Sequence, residues 1–321
     1  MQKFKILITS FLLFLCPCLI HGENMQKKVV LITGCSSGIG FHTAAHLSDA
    51  GYKVYAGLLD VSQDGNLLKQ ATRQPENLIP ITLDVTSAQH IKDAMDQIML
   101  QDGHIDILIN NAAYGLFGPV DSCTMQEIKQ QFEVNLFGAI ELTHAVIPHF
   151  RKQASGRIIC ISSTRAFNTS SIQGVYSATK SALEAIAGSW ASTLFPWNIH
   201  VTLVEPDATD TAFPKNMVCG SFYKDTDTPY THILENALEL VHDWHGDPQK
   251  TQNPQEIALL IEQIIEAESP NLRVQTNKIG KERITKLMND PTGHIWLQAE
   301  KELVRNLSQS SKDMTYSSAN R

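Results

Sequence analysis

Tyr176 and Lys180 stand four residues apart in a stretch with a helical pattern, so their side chains are expected on one helix face. A tyrosine hydroxyl has an ordinary pKa of about 10, which is too high for a base at neutral pH. A nearby ammonium favours the phenolate and lowers that pKa, so the two residues form a credible acid/base pair. Because this spacing also occurs by chance on many solvated helices, the pair needs support from elsewhere in the chain.

Two more polar residues precede the pair. Ser163 follows a predicted strand over Arg157–Ser162, and ligands of open α/β sheets bind beyond the carboxyl ends of strands. We therefore expect the Ser163 hydroxyl to orient a substrate oxygen, with Ser162 as the neighbouring alternative. Asn135 lies in an apolar helical context, where a buried amide needs hydrogen-bond partners. A structural role and a role in a proton relay both stay open for Asn135.

A glycine-rich loop, Thr33–Gly40, follows the first predicted strand and opens the first predicted helix. Its glycines permit a tight turn and let backbone amides approach a pyrophosphate, while the helix N-terminus supplies partial positive charge. A turn that needs glycine only for its shape is the structural alternative. The position between strand and helix favours a dinucleotide-binding loop, which would supply a hydride acceptor for the acid/base pair.

The elements that must position these residues alternate regularly. Strands are predicted at Val29–Ile32, Lys53–Leu58, Leu78–Leu83, Ile105–Asn110, Arg157–Ser162, Ile199–Val204 and Leu272–Val274. Helices are predicted at Ile39–Ala50, Ser62–Arg73, Ser87–Gln101, Thr124–Phe150, Val175–Leu194 and Glu256–Ala267. Such alternation implies helices on both faces of a parallel sheet. The predicted fold is α/β, a doubly wound, Rossmann-type three-layer sandwich with a mostly parallel seven-stranded sheet.

Composition sets the broad class. An apolar content of 43% allows a full core, and no linker divides the chain, so residues 25–310 are predicted to form one domain before a polar tail at 311–321. The regular alternation of strands and helices is interrupted from Pro206 to Asn253, and residues 212–253 are predicted to be a substrate lid.

A net charge of -7 argues against a nucleic-acid partner. The six cysteines fit no metal-binding spacing, so no metal site is predicted.

In order and spacing, the motifs resemble those of the short-chain dehydrogenase/reductase family. They are Thr33-Gly34-(x3)-Gly38-Ile39-Gly40, Asn110-Asn111-Ala112, Asn135, Ser163 and Tyr176-(x3)-Lys180, and the resemblance extends from Lys27 to Leu303. More narrowly, the chain is similar to the branch that contains estradiol 17-beta-dehydrogenase type 1 and the photoreceptor retinol dehydrogenase. Carrying that narrower resemblance are Val30–Gly40, Tyr114–Pro119, Thr211–Phe213, Leu272–Asn277 and Asp290–Gly293.

The resemblance implies a role for each matching residue. Tyr176 is expected to be the general acid/base, and Lys180 is expected to bind the nicotinamide ribose and lower the tyrosine pKa. Ser163 is expected to hold the substrate oxygen, and Asn135 is expected to anchor a water of the proton relay. The implied cofactor is NAD or NADP. Its expected contacts, besides Tyr176 and Lys180, are Gly34, Ser36, Ser37, Gly38, Ile39, Gly40, Asp84, Val85, Asn111 and Thr211.

Three positions depart from the family pattern. Ala113 replaces a glycine, so its turn is expected to differ slightly because alanine lacks the freedom of glycine at positive φ. Asp207 replaces the glycine of a Pro-Gly pair, and an acid there is expected to alter closure of the lid. At the end of the second strand, Leu58 and Leu59 provide neither the acid typical of NAD-preferring relatives nor the base typical of NADP-preferring ones. Without an arginine for the 2′-phosphate, NAD is favoured, and Asp60 is near enough to reach the ribose.

The predicted function is an NAD(P)-dependent oxidoreductase that interconverts an alcohol with a ketone or aldehyde. The predicted lid carries Phe213, Met217 and Phe222, which suits a lipophilic steroid-, retinoid- or fatty-aldehyde-like substrate. Two alternatives stay open, a reductase of carrier-bound ketoacyl groups and a non-catalytic NAD(P)-binding protein. The resemblance also implies a homodimer or homotetramer.

The first 24 residues allow three interpretations. Lys3 and Lys5 precede an apolar run from Ile6 to Ile20, which is shorter than the roughly 20 residues of a membrane span. The segment is interpreted as a secretory signal, as an anchor ahead of a cytoplasmic domain, or as untranslated sequence before a start at Met25. Because a secreted dehydrogenase would meet little free NAD, we expect a cytoplasmic domain, with membrane attachment through residues 6–20 as an option.

Overall fold

The structure is a computed structural model in which residues 26–221, 230–244, 247 and 249–308 are described. The strands within these residues are β1 (Val29–Ile32), β2 (Lys53–Leu58), β3 (Leu78–Thr82), β4 (Ile107–Asn110), β5 (Leu116–Phe117), β6 (Gly156–Ile161), β7 (Ile199–Glu205), β8 (Val218–Cys219) and β9 (Arg273–Gln275). Seven of them form one sheet in the order β3-β2-β1-β4-β6-β7-β9, and every neighbouring pair is parallel. The predicted seven-stranded sheet is confirmed, and β5 and β8 form a second, short sheet.

Helices cover both faces of the large sheet. They are α1 (Gly38–Asp49), α2 (Val61–Gln70), α3 (Ala88–Gln101), α4 (Met125–Phe132), α5 (Gly138–Gln153), α6 (Gly174–Leu194), α7 (Thr231–Trp244), α8 (Pro254–Glu266), α9 (Lys278–Met288) and α10 (His294–Ser308). On one face, Leu142 of α5 and Leu183 of α6 are buried against the sheet. On the other, Leu47 of α1 and Ile261 of α8 are buried. Because successive strand residues alternate between these two clusters, the predicted three-layer sandwich is confirmed.

The strand order places the functional loops together. Since β1 pairs with β2 on one side and with β4 on the other, the direction of the crossovers reverses between β1 and β4. A crevice forms beyond the carboxyl ends of the strands at such a switch point. The loops that follow β1, β4, β6 and β7 all meet there.

The helix predicted over Thr124–Phe150 is interrupted. Thr124 and Glu127 cap α4 reciprocally, as a capping box does. Residues Glu133–Phe137 then form a π turn before α5 continues to Gln153. A π turn inserts one residue into the helical repeat, and such bulges often mark functional sites. Hydrophobic periodicity cannot reveal it, because the apolar residues on both sides still fit an ordinary helix.

The C-terminal third is more helical than predicted. The sequence predicts one helix after Pro254, whereas α8, α9 and α10 are all present there. The predicted irregular stretch over residues 206–253 likewise contains α7. Leu234 of α7 and Leu307 of α10 pack in one apolar cluster with Phe117 and Ile172. Because α7 and α10 bury their apolar faces against each other and not against the large sheet, the alternation of strands and helices did not predict them.

Residues 1–24, Phe222 and the tail 311–321 lie outside the described residues. The interpretations of the N-terminal segment and the limits of the domain therefore stay predictions. Within the part of the chain that is described, no helix combines the length and the apolar character that a membrane span requires.

Candidate active site

A cavity of about 1760 Å³ opens beyond the carboxyl ends of the strands. Small-molecule pockets usually enclose roughly 300–1,000 Å³, so this one has room for a dinucleotide beside a second molecule. Most residues that the sequence singles out line it: Gly34, Ser36, Ser37, Gly38, Ile39, Asp84, Val85, Asn111, Ser163, Tyr176, Lys180 and Thr211. Gly40 and Asn135 lie behind this wall. Among the described residues, no group of three or more histidines, cysteines and acids is placed to hold a metal ion.

The glycine-rich loop leaves the start of α1 open to an anion. Gly34 and Gly38 have φ angles of +69° and +59°, which side chains with a Cβ rarely adopt. Ser37 occupies the N-cap, yet its side chain makes no capping hydrogen bond and no acid lies in the first turn. The amide donors and the partial positive charge of this helix end are therefore available to a phosphate.

Asn111 and Thr33 hold the glycine-rich loop against the loop that follows β4. Thr33 Oγ1 accepts the backbone N–H groups of Asn111 and Ala112, both at 2.9 Å. The Asn111 side-chain amide donates to the carbonyl oxygens of Thr33 at 2.8 Å and Gly34 at 3.0 Å. Ala113 does not have a positive φ, so alanine fits this turn without strain.

We call the part of the cavity lined by Gly57–Leu59 and Leu83–Thr86 the β2–β3 end. Leu58 is buried and Leu59 is 74% exposed. Asp60 caps α2, because its Oδ1 accepts the N–H groups of Ser62 and Gln63. That carboxylate is engaged in the helix cap and is not part of the cavity wall. The two segments that line this end carry no lysine or arginine.

We call the part lined by Ser163, Arg165, Tyr176 and Asp207 the β6–β7 end. Tyr176 is 7% exposed and packs against the Phe213 ring, with the ring centroids 5.5 Å apart.

Lys180 follows Tyr176 by one helical turn on α6, as the spacing predicts. Its Nζ donates to the Ile161 carbonyl oxygen at 2.7 Å and lies 5.8 Å from the centre of the Tyr176 ring.

Burial favours the neutral forms of Tyr176 and Lys180, and it shifts the pKa of each group accordingly. It raises the pKa of Tyr176 to about 12, against a hydrogen bond with Ser163 and the charge of Arg165, which both lower it. It lowers the pKa of Lys180 to about 8, against the nearby Cys160 and Glu184, which raise it. In this geometry the groups that favour the phenolate are therefore Ser163 and Arg165.

Ser163 and Ser162 both line the cavity after β6. Ser163 Oγ accepts the Arg165 N–H at 3.1 Å and donates to the Pro206 carbonyl oxygen at 3.5 Å. The Ser162 side-chain oxygen is buried and has no hydrogen-bond partner among the described residues. The influence of Ser163 on the Tyr176 pKa favours Ser163 as the residue that meets the substrate oxygen.

Asn135 occupies the middle of the π turn and connects two elements. Its Oδ1 accepts the Tyr114 N–H at 3.1 Å, and its Nδ2 donates to the Tyr114 carbonyl oxygen at 2.9 Å. Nδ2 also donates to Thr179 Oγ1 at 3.2 Å, one residue before Lys180. The amide therefore joins the loop after β4 to the helix that carries the acid/base pair. The sequence signals neither the π turn nor these contacts.

Asp207 is neutralised by an arginine that sequence reasoning missed. Nη1 of Arg283, on α9, donates to both Asp207 oxygens at 2.7 and 2.9 Å. Thr164 Oγ1 donates to the same carboxylate at 3.2 Å. The acid at the family's glycine position thus ties the end of β7 to a C-terminal helix. Arg165 was missed as well, although its position two residues after Ser163 could have drawn attention to it.

Known proteins are similar to this chain in sequence and fold. The family model described as short chain dehydrogenase matches residues 28–219. The 17-beta-hydroxysteroid dehydrogenase type 1 of Homo sapiens is 31% identical over 282 residues, which cover 86% of this chain and 85% of that protein. Retinol dehydrogenase 8 of Bos taurus is 31% identical over 283 residues, covering 84% and 88%. A crystal structure of a short-chain dehydrogenase from Streptomyces avermitilis has a TM-score of 0.72 at 28% identity, covering 87% of this chain and 98% of the other.

Proposed function

The chain belongs to the short-chain dehydrogenase family, and from that premise we propose that it interconverts a lipophilic alcohol with its ketone or aldehyde. In this proposal Tyr176 is the general acid/base and Ser163 orients the substrate oxygen. Lys180 holds the nicotinamide ribose, and NAD is the preferred cofactor. One observation carries the proposal: Tyr176, Ser163 and Lys180 line the same cavity as the glycine-rich loop.

In the oxidative direction, Tyr176 Oη takes the proton of the substrate hydroxyl. The bound cofactor supplies the hydride acceptor. Since the pKa of Tyr176 is raised to about 12, the phenolate must be stabilised before it can act as a base near pH 7. Ser163 and Arg165 act in that direction. A pKa of about 8 leaves the Lys180 ammonium largely charged at pH 7, so it adds to the same effect when it turns towards the phenol.

We assign Asn135 to the exit path of this proton. Its side chain forms hydrogen bonds with the Tyr114 backbone and with Thr179, so it fixes the backbone next to Lys180. It lies in a π turn, a type of helical bulge that often marks a functional site, and this supports a water position beside Asn135 in the proposal. Asn135 is thus both a structural connection and the proposed anchor of the relay water.

The preference for NAD is supported at the β2–β3 end. An NADP 2′-phosphate needs a cationic partner, and arginine is the usual one. Leu58 and Leu59 stand where the base or acid of relatives would be, and no lysine or arginine lies in the segments that line this end. Asp84, Val85 and Asn111 line the cavity where the adenosine is expected, and Thr211 packs against Gly38 near the expected nicotinamide.

A lipophilic substrate is supported by the side chains around the β6–β7 end. Phe213 and Met217 lie on the predicted lid, and Trp296 and Leu303 of α10 face the same cavity. The names of the two mammalian relatives designate a hydroxysteroid and retinol, which are alcohols on large apolar bodies. Because α7 and α10 pack together and close this side, the proposed lid includes α10 as well as residues 212–253.

The test is turnover by the wild-type protein and by Tyr176→Phe. A panel of steroids, retinoids and aliphatic alcohols is assayed with NAD and NADP in parallel. Tyr176→Phe is expected to lower kcat by about 10²–10⁴-fold while the dissociation constant of NAD stays unchanged. Tyr114→Phe is the matched control, since Tyr114 lines the cavity but holds Asn135 through its backbone. An unchanged rate in Tyr176→Phe would contradict the proposed mechanism.

A further inference from the structure

Arg165 lies at the reacting end of the cavity. Its backbone N–H donates to Ser163 Oγ at 3.1 Å, so the residue is tied to the hydroxyl proposed to orient the substrate. Its charge lowers the pKa of Tyr176, which places the guanidinium within electrostatic reach of the phenol. Arg165 is therefore separated from the β2–β3 end, where a 2′-phosphate would be bound.

The guanidinium of Arg165 is poorly satisfied by the protein. Its Nη1 donates to the Asn168 carbonyl oxygen at a long 3.4 Å, and no carboxylate of the described residues forms an ion pair with it. Burial lowers the pKa of Arg165, and Glu300 and Asp207 oppose this effect. Both acids bind other groups: Glu300 accepts the Ser171 N–H at 2.9 Å, and Asp207 accepts from Arg283. An arginine has five N–H donors and stays charged in proteins, so most of its donors still need acceptors.

The other cations at this end differ from Arg165. Arg283 is paired with Asp207, and Lys286, which also lines the cavity, is exposed to water. Along the described wall, cationic side chains outnumber acidic ones six to four, although the whole chain carries a net charge of -7. Arg165 is only partly exposed and most of its donors lack acceptors, so its charge is costly at this position, and an oxyanion bound by its planar fork would remove that cost.

Building on the proposed function, we infer that the substrate is an amphiphile whose anionic group, a carboxylate or another oxyanion, binds Arg165 while its alcohol or ketone faces Tyr176. The apolar body lies along Phe213, Met217 and Trp296, which share the cavity with Arg165. A neutral steroid or retinol would cover the guanidinium and leave most of its N–H donors without an acceptor. The proposed substrates are thus limited to lipophilic alcohols or ketones that also carry an anionic group.

The test measures binding rather than turnover. Decanoate, decyl sulfate and the neutral decanamide are titrated into the full-length protein saturated with NAD, and their dissociation constants are determined by calorimetry. The wild-type protein is expected to bind at least one of the two anions about tenfold or more tightly than decanamide, as charge-assisted bonds to arginine predict. The stronger of the two anions identifies the oxyanion class.

Arg165→Gln is expected to abolish this preference, and Arg165→Lys is expected to reduce it severalfold. Lys286→Gln is the matched control, because it removes a cation from the same wall and should leave the preference intact. Thermal unfolding of each variant with NAD checks the fold, and Arg165→Lys keeps the test decisive if Arg165→Gln does not fold.

Equal affinity for all three probes in the wild-type protein would overturn the inference, as would a preference that survives both Arg165 variants. If Arg165 served only to stabilise the Tyr176 phenolate, the probes would bind alike. The inference and the proposed function fail in different ways. Turnover of neutral alcohols without an anion preference would reject the first and keep the second. An anion preference with no loss of turnover in Tyr176→Phe would reject the proposed mechanism and keep the inference.

Discussion

The β2–β3 end and the β6–β7 end of the cavity are made of different chemical groups. Near the β2–β3 end, the glycine-rich backbone, the open start of α1 and the neutral Leu58 and Leu59 face the cavity. At the β6–β7 end the wall carries charged side chains, among them Asp207 and Arg165. Backbone donors depend on the shape of one short loop, whereas charged side chains depend on partners from distant segments.

The charges continue behind the β6–β7 end. Glu205, the last residue of β7, is 0% exposed and accepts a hydrogen bond from Gln275 at 2.6 Å. Arg273 lies between two buried acids, at 2.8 Å from Glu184 and 3.6 Å from Glu205. Burial raises the pKa of Glu205 to about 7, with the Gln275 hydrogen bond and Arg273 acting against it and Glu184 acting with it. Two acids therefore share one arginine in the core beneath the cavity.

The comparison teaches that the two ends should respond to different changes. Backbone recognition fails when a Cβ alters the loop, and it is insensitive to pH. Recognition by buried charges responds to pH and to the loss of a partner.

The largest effect is expected from Gly40→Val. A Cβ at this position would overlap the Asn111 amide nitrogen and the Gly34 carbonyl oxygen, so the glycine-rich loop must shift. NAD is expected to bind at least about a hundredfold more weakly, which corresponds to about 2.8 kcal/mol. Gly65→Ala is the control, because its Cβ would meet only the side chains of Pro80 at 3.3 Å and Val61 at 3.4 Å, away from the glycine-rich loop. Titration of NADH fluorescence measures the change, and equal affinities would refute the assignment of the loop to the cofactor.

A smaller effect is expected from Leu59→Arg. Leu59 is 74% exposed and lines the β2–β3 end, so an arginine fits there without disturbing the core. The ratio of kcat/KM with NADP to that with NAD is expected to rise about tenfold, or about 1.4 kcal/mol, through a charge-assisted bond to the 2′-phosphate. Leu67→Arg, on the exposed surface of α2, is the control. No change in the ratio would mean that the 2′-phosphate is bound elsewhere.

The third effect is on stability and not on cofactor binding; it is expected at Glu205 and depends on pH. Its folded-state pKa of about 7 lies above the ordinary 4.5, so the folded protein holds this proton more tightly than the unfolded chain. The resulting contribution to stability is full below pH 4.5 and is lost as the pH rises to about 7. Glu205→Gln removes the ionisation and is expected to raise the free energy of unfolding by up to about 3 kcal/mol at pH 8, with no gain at pH 4.5.

Urea unfolding at both pH values measures that difference. Glu184→Gln serves as the opposite control, because it breaks the shorter ion pair of Arg273 and is expected to lower stability. A Glu205→Gln variant that is less stable than the wild type at pH 8 would show that the ionised acid is satisfied by Arg273.

Much of the fold follows from local pattern. The strands from β1 to β7 of the large sheet begin and end within two residues of their predicted bounds, because buried parallel strands are short β-branched runs between turn residues. The spacing of Tyr176 and Lys180 likewise determined that they share one face of α6. The glycine-rich loop was recognisable because strand, loop and helix follow one another directly.

Only the tertiary structure decided how the charges are distributed. Asp207 meets Arg283 across 76 residues, so its neutralisation cannot be derived from neighbouring sequence. Arg165 donates one long hydrogen bond and forms no ion pair with a described residue, which is known only when the elements around it are in place. The π turn at Asn135 comes with contacts to Tyr114 and Thr179, which are distant in sequence and leave no mark on the apolar periodicity. Local backbone preferences determine helices, strands and the cofactor loop, whereas side-chain partners depend on long-range packing that one sequence does not reveal.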